Sequence, residues 1–261
     1  MNPAVPTWAG VATSLALVAL AMAIARRQRL HLAREITIAA ARAGAQLTAV
    51  GAILLLVFTH AGPAGAAGWL TLMVLIAGQV AGRRGAGVPR ARIAATVGVA
   101  VGTSATLVAL LAGRIIATQP RVIVPVGGMI VSAAMLAAGI ALRRLREDAH
   151  AARPAIEARL SLGQSAREAF LPHQRSALRT ALIPAIDSTK VVGLISLPGA
   201  MTGLILAGVD PLTAIRYQIV VMYMLLAATA LAALTCGRLA ERALFDRTHR
   251  LVSLPPLPDH A

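Results

Sequence analysis

An acidic and a basic side chain lie three residues apart inside one of the most apolar stretches of the chain. Asp187 and Lys190 belong to the run 181–231, which is long enough to cross a bilayer twice. Side chains at this spacing share a helix face and can pair or relay a proton. Charges at membrane depth are costly unless they face protein or a water-filled path. Two interpretations stay open: an ion pair near the cytoplasmic headgroups, or a direct role in a transport cycle.

Helix-breaking residues follow this pair in the same apolar run. Pro198 and Gly199 interrupt it near its middle, and Met201 and Thr202 come directly after. Broken helices at the bilayer midplane often expose backbone groups to a substrate. A gently kinked packing helix is the competing interpretation.

Further candidates lie in earlier apolar segments. Arg42 and Gln46 are four residues apart and form a polar stripe. This stripe could face a translocation path, and hydrogen bonding between helices explains it equally well. Met129 follows a Pro- and Gly-rich stretch similar to that around Pro198. The candidates for a translocation path are Asp187, Lys190, Pro198, Gly199, Met201, Thr202, Gln46 and Met129.

The residue types do not define a metal-ligand set, so the metal-binding residues stay unknown. Methionine thioethers can coordinate soft metals, but methionine also fills gaps between packed helices. The six histidines all lie in loops, flanks or the tail rather than near a membrane centre. The single cysteine, Cys236, excludes an internal disulfide and a multi-cysteine site.

Composition indicates a membrane protein. The 261 residues are 57% hydrophobic and only 13% charged, against about 25% charged in soluble domains. The net charge is +15, but the arginines separate apolar runs instead of forming one patch. Aromatic residues make up 3%, which leaves little for base stacking, so no nucleic-acid partner is expected.

The apolar runs predict an all-α, polytopic membrane protein with about seven transmembrane helices. A crossing helix needs about 20 apolar residues. The predicted spans cover about 7–25, 36–59, 67–82, 93–113, 122–142, 189–209 and 214–234. We predict one transmembrane domain over residues 1–261, with the lipid bilayer as its surroundings. The first span is expected to be retained, since its arginines follow it rather than precede it.

Arginine distribution predicts the orientation. The segments 26–35, 83–92, 143–180 and the tail from Arg238 hold four, four, eight and four arginines, whereas the alternate loops hold almost none. Positive charge accumulates on the cytoplasmic side. We therefore expect the N-terminus outside and the C-terminus in the cytoplasm.

The basic segment 143–180 is predicted to be a helical cytoplasmic coupling segment. Pro154 suits a first helical turn, and Ser165 with Glu168 predicts a capping box. The stretch 157–172 resembles the EAA loop of ABC transporter permeases, in which a Gly follows the Glu by six residues and precedes Leu-Pro. The residues that carry this resemblance are Glu157, Ala158, Gly163, Leu171 and Pro172. The alternative is an amphipathic helix lying on anionic headgroups.

A longer resemblance covers most of the chain. The block IPAIDSTKVVGLISLPGAMTGLILAG at 183–208, followed by DPLTAIRYQIVVMYMLLAATAL, closely resembles the FetB-type permeases. These are membrane subunits of bacterial metal-efflux ABC transporters, related to plant aluminium-tolerance permeases. The resemblance implies export of a metal ion, with iron as the first candidate, across the bacterial cytoplasmic (inner) membrane. It also implies a permease homodimer joined to two copies of a separate ATPase, with the five EAA-like residues coupling them.

The chain has no nucleotide-binding motif of its own. A P-loop needs a lysine after its glycine-rich turn, and the only lysine is Lys190, which follows Asp-Ser-Thr. We therefore expect a transport subunit that is not an enzyme and needs no cofactor. One alternative is an ion-coupled secondary transporter without an ATPase partner, which would use Asp187 and Lys190 as a proton relay. Another is a non-transporting scaffold or receptor.

Overall fold

The regular secondary structure of the described residues is helical, which confirms the predicted all-α membrane architecture. The computed structural model describes residues 8–28, 33–56, 62–195, 197–246 and 248–255, and no strand occurs among them. Six of the described helices are long and apolar enough to cross a membrane. The helices are α1 (Trp8–Arg27), α2 (Ala33–Leu56), α3 (Gly62–Arg84), α4 (Ala91–Ala112), α5 (Pro120–Ala151), α6 (Arg153–Ser161), α7 (Ala166–Val191), α8 (Gly199–Leu206) and α9 (Pro211–Leu244).

The helices belong to two compact units, residues 1–62 and 63–261. In the first unit α1 contacts α2, and the Thr37 hydroxyl donates to Met22 Sδ at 2.9 Å. Apolar side chains such as Leu17 and Leu47 are exposed along both helices. Such helices suit a lipid environment, because all their mid-helix backbone groups are bonded internally.

The second unit has its core where α4, α5, α7 and α9 meet. Small side chains dominate this core, which allows the helix backbones to approach closely. Its larger fully buried side chains include Val99, Ile130, Leu142, Leu145 and Phe170. This unit contains most of the candidate site residues.

The closest packing joins α4 to α9. Built onto the backbone, a Cβ at Gly98 would lie 2.8 Å from the Ala232 carbonyl oxygen, and one at Gly102 would lie 2.7 Å from that of Ala228. Moving four residues forward along α4, from Gly98 to Gly102, corresponds to moving four residues back along α9, from Ala232 to Ala228. The two helices are therefore antiparallel. This is the small-xxx-small packing common in membrane helix pairs.

The predicted sixth span, 189–209, is wrong as a single crossing helix. Helix α7 ends at Val191, and α8 begins only at Gly199. Gly193 adopts φ +83°, which ends the helical path, and Pro198 is extended at φ −62° and ψ 146°. The eight residues of α8 span about 12 Å, less than half of the hydrocarbon thickness. The predicted break is present, but it separates two helices.

Most of the segment 143–180 belongs to the two long helices α5 and α7, whereas the arginine count predicted a separate cytoplasmic segment. Helix α5 continues to Ala151, and α7 begins at Ala166 and continues to Val191. Only α6 and the short turn at 162–165 lie between them. The predicted helical character is confirmed, while the predicted orientation of the termini and the single-domain assignment stay predictions.

Candidate coupling surface and candidate cavity

A sharp turn joins α6 to α7 at the basic end of the second unit. Pro154 lies in the first turn of α6, as predicted. At its end the N–H of Gln164 donates to the Arg159 carbonyl at 3.2 Å, and Gly163 at φ +85° donates to Leu160 at 3.0 Å. This pair of bonds is a Schellman motif, in which glycine takes the left-handed position at no steric cost.

Helix α7 starts with the predicted capping box. The Ser165 hydroxyl accepts from the Glu168 N–H at 3.3 Å, and the Ser165 N–H donates to Glu168 Oε2 at 3.1 Å. The Ser165 side chain and N–H lower the pKa of the Glu168 carboxyl. A lowered pKa means that the bond is kept above the ordinary glutamate pKa and is lost as the pH falls through the lowered value.

Leu162 at the tip of this turn is the residue that sequence reasoning missed. Its side chain is 83% exposed, between α6 and the positive-φ Gly163. Leu162 is therefore a large apolar side chain exposed between the polar residues of this turn. The available signal was its position directly before the glycine that the EAA-like pattern singled out.

The predicted coupling residues lie on two neighbouring helices. Glu157 and Ala158 are exposed on α6, and Gly163 forms the turn. Leu171, half-buried, and Pro172, exposed, lie further along α7, which continues through the proline. The structure therefore places two of the five residues on α6, one in the turn and two on α7.

Arg153 ties this turn to the C-terminal segment. Its Nε donates to Glu157 Oε1 at 2.7 Å, and its terminal nitrogens donate to the carbonyls of Leu251 and Val252 at 3.2 and 3.4 Å. A cavity of about 450 Å³ lies between α6 and this segment. It is lined by Arg153, Glu157, Leu160, Ser161, Gln164, Thr248, His249, Arg250 and Leu251.

The C-terminal segment also packs internally. Phe245 forms an isolated bridge with Leu251, and its ring meets the buried Phe170 ring edge-on, with centroids 5.8 Å apart. The N–H of Arg250 and the Thr248 hydroxyl bind Asp246 Oδ1, and these bonds lower the pKa of the Asp246 carboxyl. The segment is thus held as a defined wall beside α6.

A second cavity, of about 460 Å³, lies at the break between α7 and α8. It brings together Pro198 and Met201 from the predicted path with the start of α9. Its lining residues are Thr189, Val192, Gly193, Leu197, Pro198, Met201, Ile215, Gln218, Ile219, Met222 and Tyr223. The interrupted helix therefore opens a mainly apolar chamber, as broken membrane helices often do.

Gln218 is the main polar side chain of this chamber that lacks a partner. It is 5% exposed, and its amide oxygen has no hydrogen-bond partner among the described residues. No hydrogen bond from a neighbouring helix satisfies that oxygen among the described residues. Buried amide oxygens are normally bonded, so this one is available to a ligand or to water.

Asp187 and Lys190 form the ion pair that their spacing allows. Lys190 Nζ lies 3.3 Å from Asp187 Oδ1, and both side chains are more than half exposed. The neighbouring Ser188 and Thr189 line a small cavity with Met222 on α9. The pair therefore lies at the level of the apolar middle of α9, well away from its basic end.

The remaining path candidates are not joined to this chamber. Thr202 bonds back to the Pro198 carbonyl at 3.2 Å, and Gly199 starts α8 without lining the cavity. Met129 packs beside a cluster of α4, α5 and α9 side chains. Gln46 is exposed on α2 of the first unit. No group of three His, Cys, Asp or Glu side chains that could hold a metal occurs in the part of the chain that the structure describes.

Comparison with known proteins identifies the family. The chain is 42% identical over 240 residues to the UPF0014 membrane protein STAR2 of Oryza sativa subsp. japonica. The aligned region covers 90% of this chain and 83% of STAR2. It is 36% identical over 244 residues to the protein ALUMINUM SENSITIVE 3 of Arabidopsis thaliana, covering 92% and 88% of the two chains.

A bacterial relative shows a similar likeness. The chain is 36% identical over 246 residues to the probable iron export permease protein FetB of Escherichia coli strain K12, covering 93% of each. No solved structure matches the chain. The model of the uncharacterised protein family UPF0014 matches residues 8–245. The chain is therefore a multi-pass membrane protein that belongs to the UPF0014 family.

Proposed function

We propose that this chain is the membrane-spanning permease subunit of an ABC transporter, driven by ATP that a separate subunit hydrolyses. The observation that carries the proposal is the α6–α7 turn, with the exposed Leu162 beside Gly163 and the charged Glu157 nearby. An apolar side chain at the tip of a polar turn suits insertion into a pocket of a partner. The likeness to a protein named as an export permease supports the same assignment.

The turn is built to transmit a displacement. It is continuous with α7, whose far end borders the chamber at the helix break, about 39 Å from its start. Along this path Ala181 of α7 packs with Ala137 and Ala141 of α5 and with Ala233 of α9. Because close-packed helices move as rigid bodies, a push at the turn would reach the chamber rather than dissipate.

The cargo of the proposed transporter is a metal ion, with iron the first to test, and the direction is export. The name of the Escherichia coli relative supports this choice. The chamber offers the amide oxygen of Gln218 and the thioethers of Met201 and Met222, together with backbone groups at the end of α7. Oxygen ligands suit iron, whereas thioethers favour softer ions.

The proposed assembly is a homodimer of this chain with two copies of the ATPase, in a bacterial cytoplasmic membrane. Exposed apolar side chains, among them Leu197, Leu206 and Tyr223, line the α8–α9 face of the second unit. The exposed Asp187–Lys190 pair lies nearby at the depth of apolar residues, where charges need protein or water beside them. A second permease copy on this face would cover both features.

Co-purification tests the proposal directly. The tagged chain is isolated in mild detergent from its host, and bound proteins are identified and assayed for ATP hydrolysis. A stoichiometric ATP-binding protein whose hydrolysis rises with the permease is the expected result. Replacing Leu162→Asp should weaken that binding about 30-fold, as expected for a central apolar contact. Leu212→Asp, at a similarly exposed leucine at the opposite end of α9, is the control and should bind normally.

A second candidate function is ion-coupled transport without ATP, favoured by the exposed Asp187–Lys190 pair beside the middle of α9. In vesicles that contain only this chain, it requires metal or proton flux that Asp187→Asn abolishes. A chain isolated without a bound ATPase and active in that assay would overturn the ABC proposal. A partner-dependent flux would overturn the alternative.

A further inference from the structure

A basic cavity between α7 and α9 lies outside both sites described above. Its volume is about 340 Å³, and it is lined by Arg167, Gln174, Arg238, Glu241 and Arg242. The arginines come from the first turn of α7 and from the last turns of α9. Arg238 and Arg242 are four residues apart, so their side chains share one helix face.

The charges of this cavity are unbalanced. All three arginines are exposed, and among the described residues none forms a close ion pair or a hydrogen bond. Among the described residues that line the cavity, Glu241 is the only acid, and it attracts the three guanidinium groups without forming a close ion pair with any of them. Three positive charges and one negative charge leave a net charge of +2.

Glu241 has a neutral hydrogen-bond partner in this cavity. Its side chain is buried and accepts a hydrogen bond from the Gln174 amide, which is buried as well. This bond satisfies Oε2 of the carboxylate without using a guanidinium group. The arginine donors are therefore free for an external anion.

The position of the cavity along α9 indicates which anion meets it. Residues 217–237, a count of 21 between Arg216 and Arg238, contain no charged side chain. At 1.5 Å per residue they span about 32 Å, close to the hydrocarbon thickness of a bilayer. Arg238 and Arg242 therefore lie at headgroup depth, on the side where the arginine distribution predicts the cytoplasm.

We propose that this cavity binds a phosphate group, supplied by the headgroup of an anionic phospholipid. Guanidinium groups bind phosphate oxygens through paired hydrogen bonds, and basic pockets between membrane helices are suited to such headgroups. The bound lipid would bridge α7 to α9 at the end next to the α6–α7 turn. The proposal does not depend on the transported substrate or on an ATPase.

Native mass spectrometry of the detergent-purified full chain tests this site. The probes are phosphatidylglycerol, phosphatidylcholine as the zwitterionic comparison, and inorganic phosphate alone. We expect Arg238→Gln with Arg242→Gln to weaken phosphatidylglycerol retention about 30-fold, the factor expected when two cations near an anionic surface are neutralised. The matched control is Arg175→Gln with Arg179→Gln, a pair of exposed arginines on α7 that does not line the cavity.

A third variant separates binding from a structural role. Glu241→Gln removes the negative charge but keeps a group that can bond to Gln174, so phosphatidylglycerol retention should rise about fivefold. A lipid that millimolar phosphate does not displace identifies a headgroup site, and displacement by phosphate identifies a free-phosphate site; either supports phosphate recognition. Equal losses in both arginine pairs, or no rise in Glu241→Gln, would overturn it.

Discussion

The α4–α9 contact and the α7–α8 break are both apolar and rich in glycine, but they use glycine in opposite ways. At Gly98 and Gly102 an added Cβ would collide with α9 backbone atoms, whereas at Gly199 and Gly203 it would meet nothing within 4 Å. The first pair permits close packing, and the second lies beside open space. The same residue type therefore marks a rigid contact in one place and an uncovered surface in the other.

This difference suits a protein in which one helix bundle stays rigid while a short helix beside it moves. Helices α4, α5 and α9 are joined by small side chains along their length, so they are expected to move together. Helix α8 is short, and among the described residues it buries none of its own. Elements with few buried contacts open and shift most readily.

The largest expected effect comes from filling the close contact. Gly102→Leu should destabilise the protein by about 3 kcal/mol, because the new side chain meets the Ala228 carbonyl oxygen and cannot be accommodated without moving a backbone. Thermal unfolding of the detergent-solubilised protein measures the change. The matched control is Gly203→Leu, at a position where an added Cβ would meet nothing within 4 Å.

The outcome of that control sharpens the comparison. An unchanged melting temperature for Gly203→Leu confirms that α8 is open in the purified chain. If transport is lost while stability is kept, α8 contacts the cargo or a second subunit during the cycle. Equal destabilisation at both positions would contradict the distinction between the two regions.

A smaller effect is expected at the break itself. Gly193→Ala should cost about 1–2 kcal/mol, since Gly193 adopts φ +83° and an L-residue is strained there even though no atom blocks its Cβ. Gly203→Ala is the control, and should be neutral or stabilising by up to about 1 kcal/mol, because alanine favours a helix. Chemical denaturation measures both. A neutral Gly193→Ala would mean that the break rearranges easily.

The C-terminal segment offers a third test, on the side of the coupling surface. Arg153→Gln should cost about 1 kcal/mol, because the charged hydrogen bonds to Glu157 and to the carbonyls of Leu251 and Val252 are weakened. Hydrogen exchange should then accelerate in residues 245–255. Arg143→Gln removes an ion pair with Glu147 on the same helix and should leave that exchange unchanged.

Sequence patterns predicted the elements whose causes are local. Pro154 and the Ser165–Glu168 capping box identify helix starts because each acts within one helical turn. The length of α7 was missed, since its charged first half lowers the apolar signal that reveals membrane helices. The chamber could not be predicted either, because it depends on how α9 packs beside the break. No local pattern encodes the unbonded oxygen of Gln218.

The smallest effect on stability is expected where the functional interest is high. Asp187→Asn should change the free energy of unfolding by about 0.3 kcal/mol, since the Asp187–Lys190 pair is exposed and such pairs contribute little. The reversed pair, Asp187→Lys with Lys190→Asp, keeps both charges and serves as the control.

Flux through reconstituted vesicles is the second measurement. If Asp187→Asn blocks flux and the reversed pair restores it, the ion pair itself is needed. If neither carries flux while both stay folded, the carboxylate must occupy its own position. Normal flux in both Asp187→Asn and the reversed pair would show that transport does not need this ion pair. The main polar candidate for the transport path would then be Gln218 in the chamber.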